Sequence, residues 1–146
     1  MLPIERTIIP DVIKVQQIIS LPKRATVREA VQVMAERCIG AIPIVERGRL
    51  VGIFTERDVV FKVVAAGFDP ANTTLLEVMT REPETLGPSD TVRDALDKMN
   101  AGHFRHLPVI AENRLVGIIS VRDLYQSVVD QMSTDIILLA EGLLQG

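Results

Sequence analysis

Apolar residues recur along the chain at two alternating periods. Val27, Ala30, Val31 and Met34 stand at helical spacing behind Thr26, while Ile42–Val45 and Leu50–Phe54 are short aliphatic runs that read as strands. The polar Glu46-Arg47-Gly48-Arg49 between those runs predicts a hairpin. Thr26 and Glu29 are spaced for a capping box, a hydroxyl and a carboxylate reciprocally satisfying free N–H groups at a helix start. A second helix is predicted over about Glu56–Ala66, ended by Gly67.

The same order returns 65 positions later, where Thr91–Asp123 aligns without a gap on Thr26–Asp58 and 13 of the 33 pairs are identical. Thr91, Val92, Asp94, Ala95, Leu96 and Met99 repeat the capped helix. Leu107–Ile110 and Leu115–Ile119 repeat the hairpin, and about Val121–Gln131 repeats the second helix. Apolar stretches near Ile18–Leu21 and Glu84–Leu86 are candidates for a further strand, giving strand-helix-strand-strand-helix. The predicted organisation is an N-terminal segment 1–11, a first repeat 12–66, a linker 67–76, a second repeat 77–131 and a C-terminal helix or tail 132–146. In the tail, Ser133-Thr134-Asp135 reads as a helix start, and Ile136, Leu139, Ala140 and Leu143 form one face. That face either packs on the protein's own core or meets another copy or a client protein.

A unit of about 60 residues hides only about 60% of its unfolded surface, so two copies packed sheet to sheet are expected, in an α/β (α+β) fold with pseudo-two-fold symmetry. Such an arrangement has two related clefts between repeats, the first place to look for function.

Composition narrows the chemistry. A net charge of −3, one Tyr and no Trp argue against a nucleic-acid partner. No apolar run approaches the roughly 20 residues of a membrane span, and the expected setting is soluble and cytoplasmic. Cys38 is the sole cysteine, which leaves no intrachain disulfide and predicts a core filler. His103 and His106 lie three apart, but no third ligand accompanies them, so no metal site is expected.

Gly52-Ile53-Phe54-Thr55-Glu56-Arg57-Asp58 and Gly117-Ile118-Ile119-Ser120-Val121-Arg122-Asp123 are the most informative segments. In each, a strand ends in a hydroxyl residue, a helix begins, and a carboxylate follows three positions later. One reading is a capping box. The other is a ligand site: a helix start offers N–H groups to a phosphate, a carboxylate accepts both hydroxyls of a ribose, and glycine lets a ligand or another backbone approach.

The order T-V-R-E-A, a strand centred on proline, then G-I-x-T/S-x-R-D, twice over, resembles a tandem pair of cystathionine-β-synthase (CBS) domains, a Bateman module, over about residues 12–131. The resemblance implies binding of an adenosine-containing ligand such as AMP, ADP, ATP, S-adenosylmethionine or NAD, as a regulatory ligand and not a catalytic cofactor. It assigns the ribose hydroxyls to Asp58 and Asp123 with Thr55 and Ser120 beside them, and Ile53, Arg57, Ile118 and Arg122 flank these as binding positions. By position it gives Lys14, Ile19, Ile39 and Gly40 to the cleft of Asp123, and Met79, Glu84, Phe104 and Arg105 to that of Asp58. Arg105 and His106 match basic positions that contact phosphates, which makes the Asp123 site the expected stronger one. Glu84 departs from the pattern. The resemblance also implies a flat homodimer formed by the helices predicted at Thr26–Arg37, Glu56–Ala66, Thr91–Ala101 and Val121–Gln131.

Two functions follow as expectations: a non-catalytic nucleotide sensor that changes conformation or partner contacts, or an assembly module whose clefts are vestigial. An enzyme is disfavoured because no nucleophile with a base and an orienting partner can be assembled.

Overall fold

The computed structural model describes residues 2–145. In the first repeat, Thr26 caps helix α1 (Val27–Arg37), its hydroxyl accepting the Glu29 N–H at 3.1 Å. Only this half of the expected capping box forms there. A left-handed residue, Cys38, ends the helix and is exposed, so the expectation of a buried core thiol is corrected. Strands β1 (Ala41–Glu46) and β2 (Arg49–Thr55) then pair antiparallel around Gly48, whose φ of 77° the tight turn requires. Helix α2 (Glu56–Asp58) continues as a wider helical turn over Val59–Val64.

Helix α3 (Leu75–Val78) and the two-residue strand β3 (Thr80–Arg81) follow, β3 adding to the edge of β2 through Gly52 and Ile53. The second repeat supplies α4 (Val92–Gly102), β4 (His106–Ala111), β5 (Arg114–Ser120) and α5 (Val121–Gln145). The Thr91–Asp94 box at α4 is complete in both directions, at 2.9 and 3.2 Å, and these bonds to Thr91 hold the exposed Asp94 carboxyl below its ordinary range. Leu21 and Leu86 each make a single parallel bridge, to Ile44 and Val109, where a further strand was expected.

Helix α5 is continuous, so the second repeat's helix does not stop near Gln131 and restart at Ser133. Nothing in Val128–Ile137 is a glycine or proline, and the pattern offers no stop signal. Its distal apolar face is exposed, so packing on the protein's own core is excluded.

The chain divides into two compact units that do not coincide with the sequence repeats. One comprises Met1–Gln16, Thr85–Ile110 and Gly117–Gly146; the other comprises Gln17–Glu84 and Ala111–Val116. In the first, the N-terminal segment is tied to second-repeat elements. Ile8 is fully buried and donates to Asp90 O at 2.8 Å, Val92 donates to Arg6 O at 3.0 Å, and Arg6 donates to both Ser127 Oγ and O. Leu86, Val92, Ala95, Met99, Leu107, Val109, Ile119 and Leu124 complete that core. In the other unit, residues that read as linker are structural: Thr73 O accepts from Val27, Ala25 O accepts from Leu75, and Leu75 is fully buried with Val27, Ile42, Ile44, Phe54 and Val63.

Candidate functional site

The two glycine–hydroxyl–carboxylate segments build the same local object, one in each unit. At β5–α5, Ser120 N donates to Asp123 Oδ2 at 2.8 Å, Ser120 Oγ donates to the same oxygen at 3.0 Å, and Asp123 N donates back to Ser120 Oγ at 3.2 Å. At β2–α2, Thr55 N donates to Asp58 Oδ2 at 2.9 Å and Asp58 N donates to Thr55 Oγ1 at 3.3 Å. Each carboxylate thus spends one oxygen on its helix cap, and a carboxylate has about four lone-pair sites in all.

The second oxygens differ. Asp58 Oδ1 lies 3.3 Å from Lys62 Nζ. Among the described residues, no protein hydrogen bond or ion pair reaches Asp123 Oδ1. The position equivalent to Lys62 is Ser127, a buried side chain already held by Arg6. Sequence reading missed Lys62, although its i,i+4 spacing from Asp58 is a legible signal.

The space beside each glycine is filled by the chain itself. A Cβ on Gly52 would sit 2.5 Å from Met79 Sδ and 3.0 Å from Thr80 O; one on Gly117 would sit 2.8 Å from Ile13 Cδ1 and 3.5 Å from Gln16 Oε1. The expectation that these glycines admit a ligand is therefore replaced by a packing role. Met79 is buried against Gly52, and Ile53 pairs with Thr80. Where Ile53 has a strand partner, Ile118 has a side chain: its N–H donates to Gln16 Oε1 at 3.0 Å. Neither Ile13 nor Gln16 carried a signal, since their role depends on a pairing more than 100 residues away in sequence.

The helix starts are also less open than expected. Val121 N donates to Arg105 O, and Glu56 N donates to Gly40 O, both at 2.9 Å. With the cap bonds, these protein acceptors take the N–H groups of Ser120, Val121 and Asp123 at the start of α5, and those of Thr55, Glu56 and Asp58 at the start of α2. Arg105 and Gly40 thus meet the boxes through their carbonyls. Ile39 and Phe104 each follow the left-handed end of a helix, donating to Met34 O and Met99 O. His106 opens β4, half-buried. Lys14, Arg105 and Arg122 in one unit, and Arg57 and Glu84 in the other, are exposed, while Ile19 is half-buried. Arg57 stacks over the Phe61 ring at 5.2 Å. Within one unit the chain thus gathers Lys14, Phe104, Arg105, His106, Ile118, Ser120, Arg122 and Asp123; the other holds Ile19, Ile39, Gly40, Ile53, Thr55, Arg57, Asp58 and Met79. Among the described residues, no group of three His, Cys, Asp or Glu side chains could hold a metal ion, and no helix is long and apolar enough to cross a membrane.

The CBS domain family matches residues 11–65 and 75–130. The CBS domain-containing protein YhcV of Bacillus subtilis is 36% identical over 119 residues, 82% of each chain. Three other curated relatives are much longer, the chain spanning 14% to 24% of their length. Among solved structures, a Burkholderia ambifaria protein with CBS domains superposes with a TM-score of 0.76 at 34% identity, covering 80% of this chain and 85% of that one. A hexameric CBS-CP12 protein from bloom-forming cyanobacteria gives 0.70 at 32% identity, covering 75% of this chain and 62% of that one.

Proposed function

Because the chain belongs to the CBS-domain family, whose members are generally regulatory modules, we propose that it is a non-catalytic sensor of an adenosine-containing ligand. The ligand class is AMP, ADP, ATP, S-adenosylmethionine or NAD. One observation carries the reading: both boxes keep their carboxylate, and Asp123 retains an oxygen that no described protein group uses. A ribose diol needs such an acceptor. Ser120 and Asp123 hold the stronger site, and Lys14, Arg105 and His106 of the same unit are the basic residues for its phosphates. Asp58 and Thr55 form the weaker one. The module works in the cytoplasm as a homodimer, and the ligand alters its contacts with a client protein by binding two arrangements unequally.

The test is thermal unfolding and calorimetry with each of the five ligands and with GTP as control. At about 100 times its dissociation constant a ligand adds roughly 2.7 kcal/mol per site, raising Tm by about 5–10 °C. GTP gives a much smaller shift. Mass analysis of small molecules released from the purified protein on denaturation identifies the ligand. No shift with any of the five at millimolar concentration favours the second reading, an assembly module with vestigial sites. That reading is supported by the closed boxes, whose hydrogen bonds account for both carboxylates as helix caps.

A further inference from the structure

Among the described residues, the stretch of α5 from Met132 to Leu143 has no packing partner: every residue in it is exposed. An isolated helix of that length is marginal in water. Here Ile136, Ile137 and Thr134 are β-branched, Gly142 lies near the end, and no cation offsets the dipole in the last turn. Such a segment gains its stability from a partner.

The exposed apolar side chains specify which partner. Tyr125, Val129, Met132, Ile136, Leu139 and Leu143 are spaced by four, three, four, three and four residues, and each is between 52% and 83% exposed. This is an unbroken heptad seam over more than two heptads, with Val129, Ile136 and Leu143 at a and Tyr125, Met132 and Leu139 at d. A strict a/d stripe is narrower than the face a helix turns to a globular core, and it fits a second helix of the same period. Val129 and Ile136 at a, with Leu139 at d, are the choice that favours two parallel strands. The flanking e and g positions are Gln126, Val128, Ser133, Asp135, Ala140 and Gly142. One negative charge among small and neutral residues opposes no like charge across a parallel, in-register pair.

We infer that α5 forms a parallel two-stranded coiled coil with α5 of a second copy of this chain. The six seam residues expose on the order of 700 Å² per copy, close to the roughly 800 Å² per partner of a standard stable interface. Ile137 and Leu138 lie off the seam and give the paired helices an apolar outer strip. The inference rests on the homodimer of the reading above and is independent of the ligand.

Two measurements on the full chain test it. In a Cys38→Ser background, which removes the exposed native thiol, Leu139→Cys places thiols face to face across the seam, whereas Glu141→Cys places them on the far side. Mild oxidation is expected to give a disulfide-linked dimer with Leu139→Cys and none with Glu141→Cys. Sedimentation at tens of micromolar is expected to give twice 16.1 kDa or a multiple of it for the unaltered chain. The pair Ile136→Glu and Leu139→Glu is expected to raise the dissociation constant at least tenfold while the thermal transition of the body persists, since both positions are exposed. An unaltered chain that dimerises with unchanged affinity in the double variant, or without the Leu139→Cys cross-link, keeps the homodimer and overturns the seam. A 16.1 kDa monomer overturns both.

Discussion

The helix that follows β2 and the helix that follows β5 begin with the same hydroxyl–carboxylate box and then diverge at two equivalent positions. Lys62 engages Asp58, whereas its counterpart Ser127 is buried and bonded by Arg6, and among the described residues no ion pair reaches Asp123. Five residues later, Gly67 takes a φ of 76° and ends the first helix, whereas its counterpart Met132 carries α5 onward to Gln145. Duplication thus preserved the local capping chemistry, and a single residue at each position changed what surrounds it. One copy has a neutralised carboxylate and a short helix; the other has an open carboxylate and a long apolar one.

The largest expected effect concerns the two cores beneath these helices. Phe54 and Ile119 are equivalent and fully buried, so Phe54→Ala should cost about 3–5 kcal/mol and Ile119→Ala about 2–5 kcal/mol. Denaturant unfolding measures both. A single transition shifted by either variant means the two units unfold together, and two transitions shifted separately mean that the comparison extends to stability.

Ligand affinity comes next. Losing a carboxylate that bonds both ribose hydroxyls removes about 1.5–3 kcal/mol per charged hydrogen bond, at least about tenfold in dissociation constant. Asp123→Ala should weaken calorimetric binding more than Asp58→Ala. The reverse order would mean that the open oxygen and the basic residues of its unit are not what makes a site strong.

A smaller effect isolates Lys62. The Lys62–Asp58 pair is partly exposed, so Lys62→Ser should change stability by no more than about 1 kcal/mol. It converts the first box to the arrangement of the second. Asp58→Ala and Asp123→Ala should then weaken binding by more similar factors; a difference that persists unchanged would remove Lys62 as its cause.

The smallest effect is in the helix caps one element earlier, complete at Thr91–Asp94 and half-formed at Thr26–Glu29. Bonding to Thr91 lowers the Asp94 pKa below its ordinary 3.8, so the ionised carboxylate contributes stability above that value and loses it as pH falls through the lowered one. Tm measured from pH 7 to pH 2 should show Asp94→Asn less stable than the unaltered chain at neutral pH and converging on it in acid. A constant gap across that range would show that the contribution does not depend on ionisation.

Much of the molecule was legible in sequence because it is local. Periodicity placed α1, α4 and both hairpins, and hydroxyl and carboxylate three residues apart placed the boxes at Thr55–Asp58 and Ser120–Asp123, since each such bond closes within one helical turn. The same local logic predicted a full box at Thr26, where Glu29 makes no reciprocal bond. It also stopped the last helix near Gln131 by analogy with Gly67, although Met132 contains no stop.

What only tertiary structure decided is which distant segments complete each unit. The sequence does not say that Ile13 and Gln16 fill the space beside Gly117, that Met79 does so beside Gly52, or that Arg6 bonds the buried Ser127. Those contacts join residues tens to more than a hundred positions apart, and their reward appears only after the loop between them has closed. A hydrogen bond within a turn is written in the spacing of its partners; a contact across the fold depends on every element packed between them.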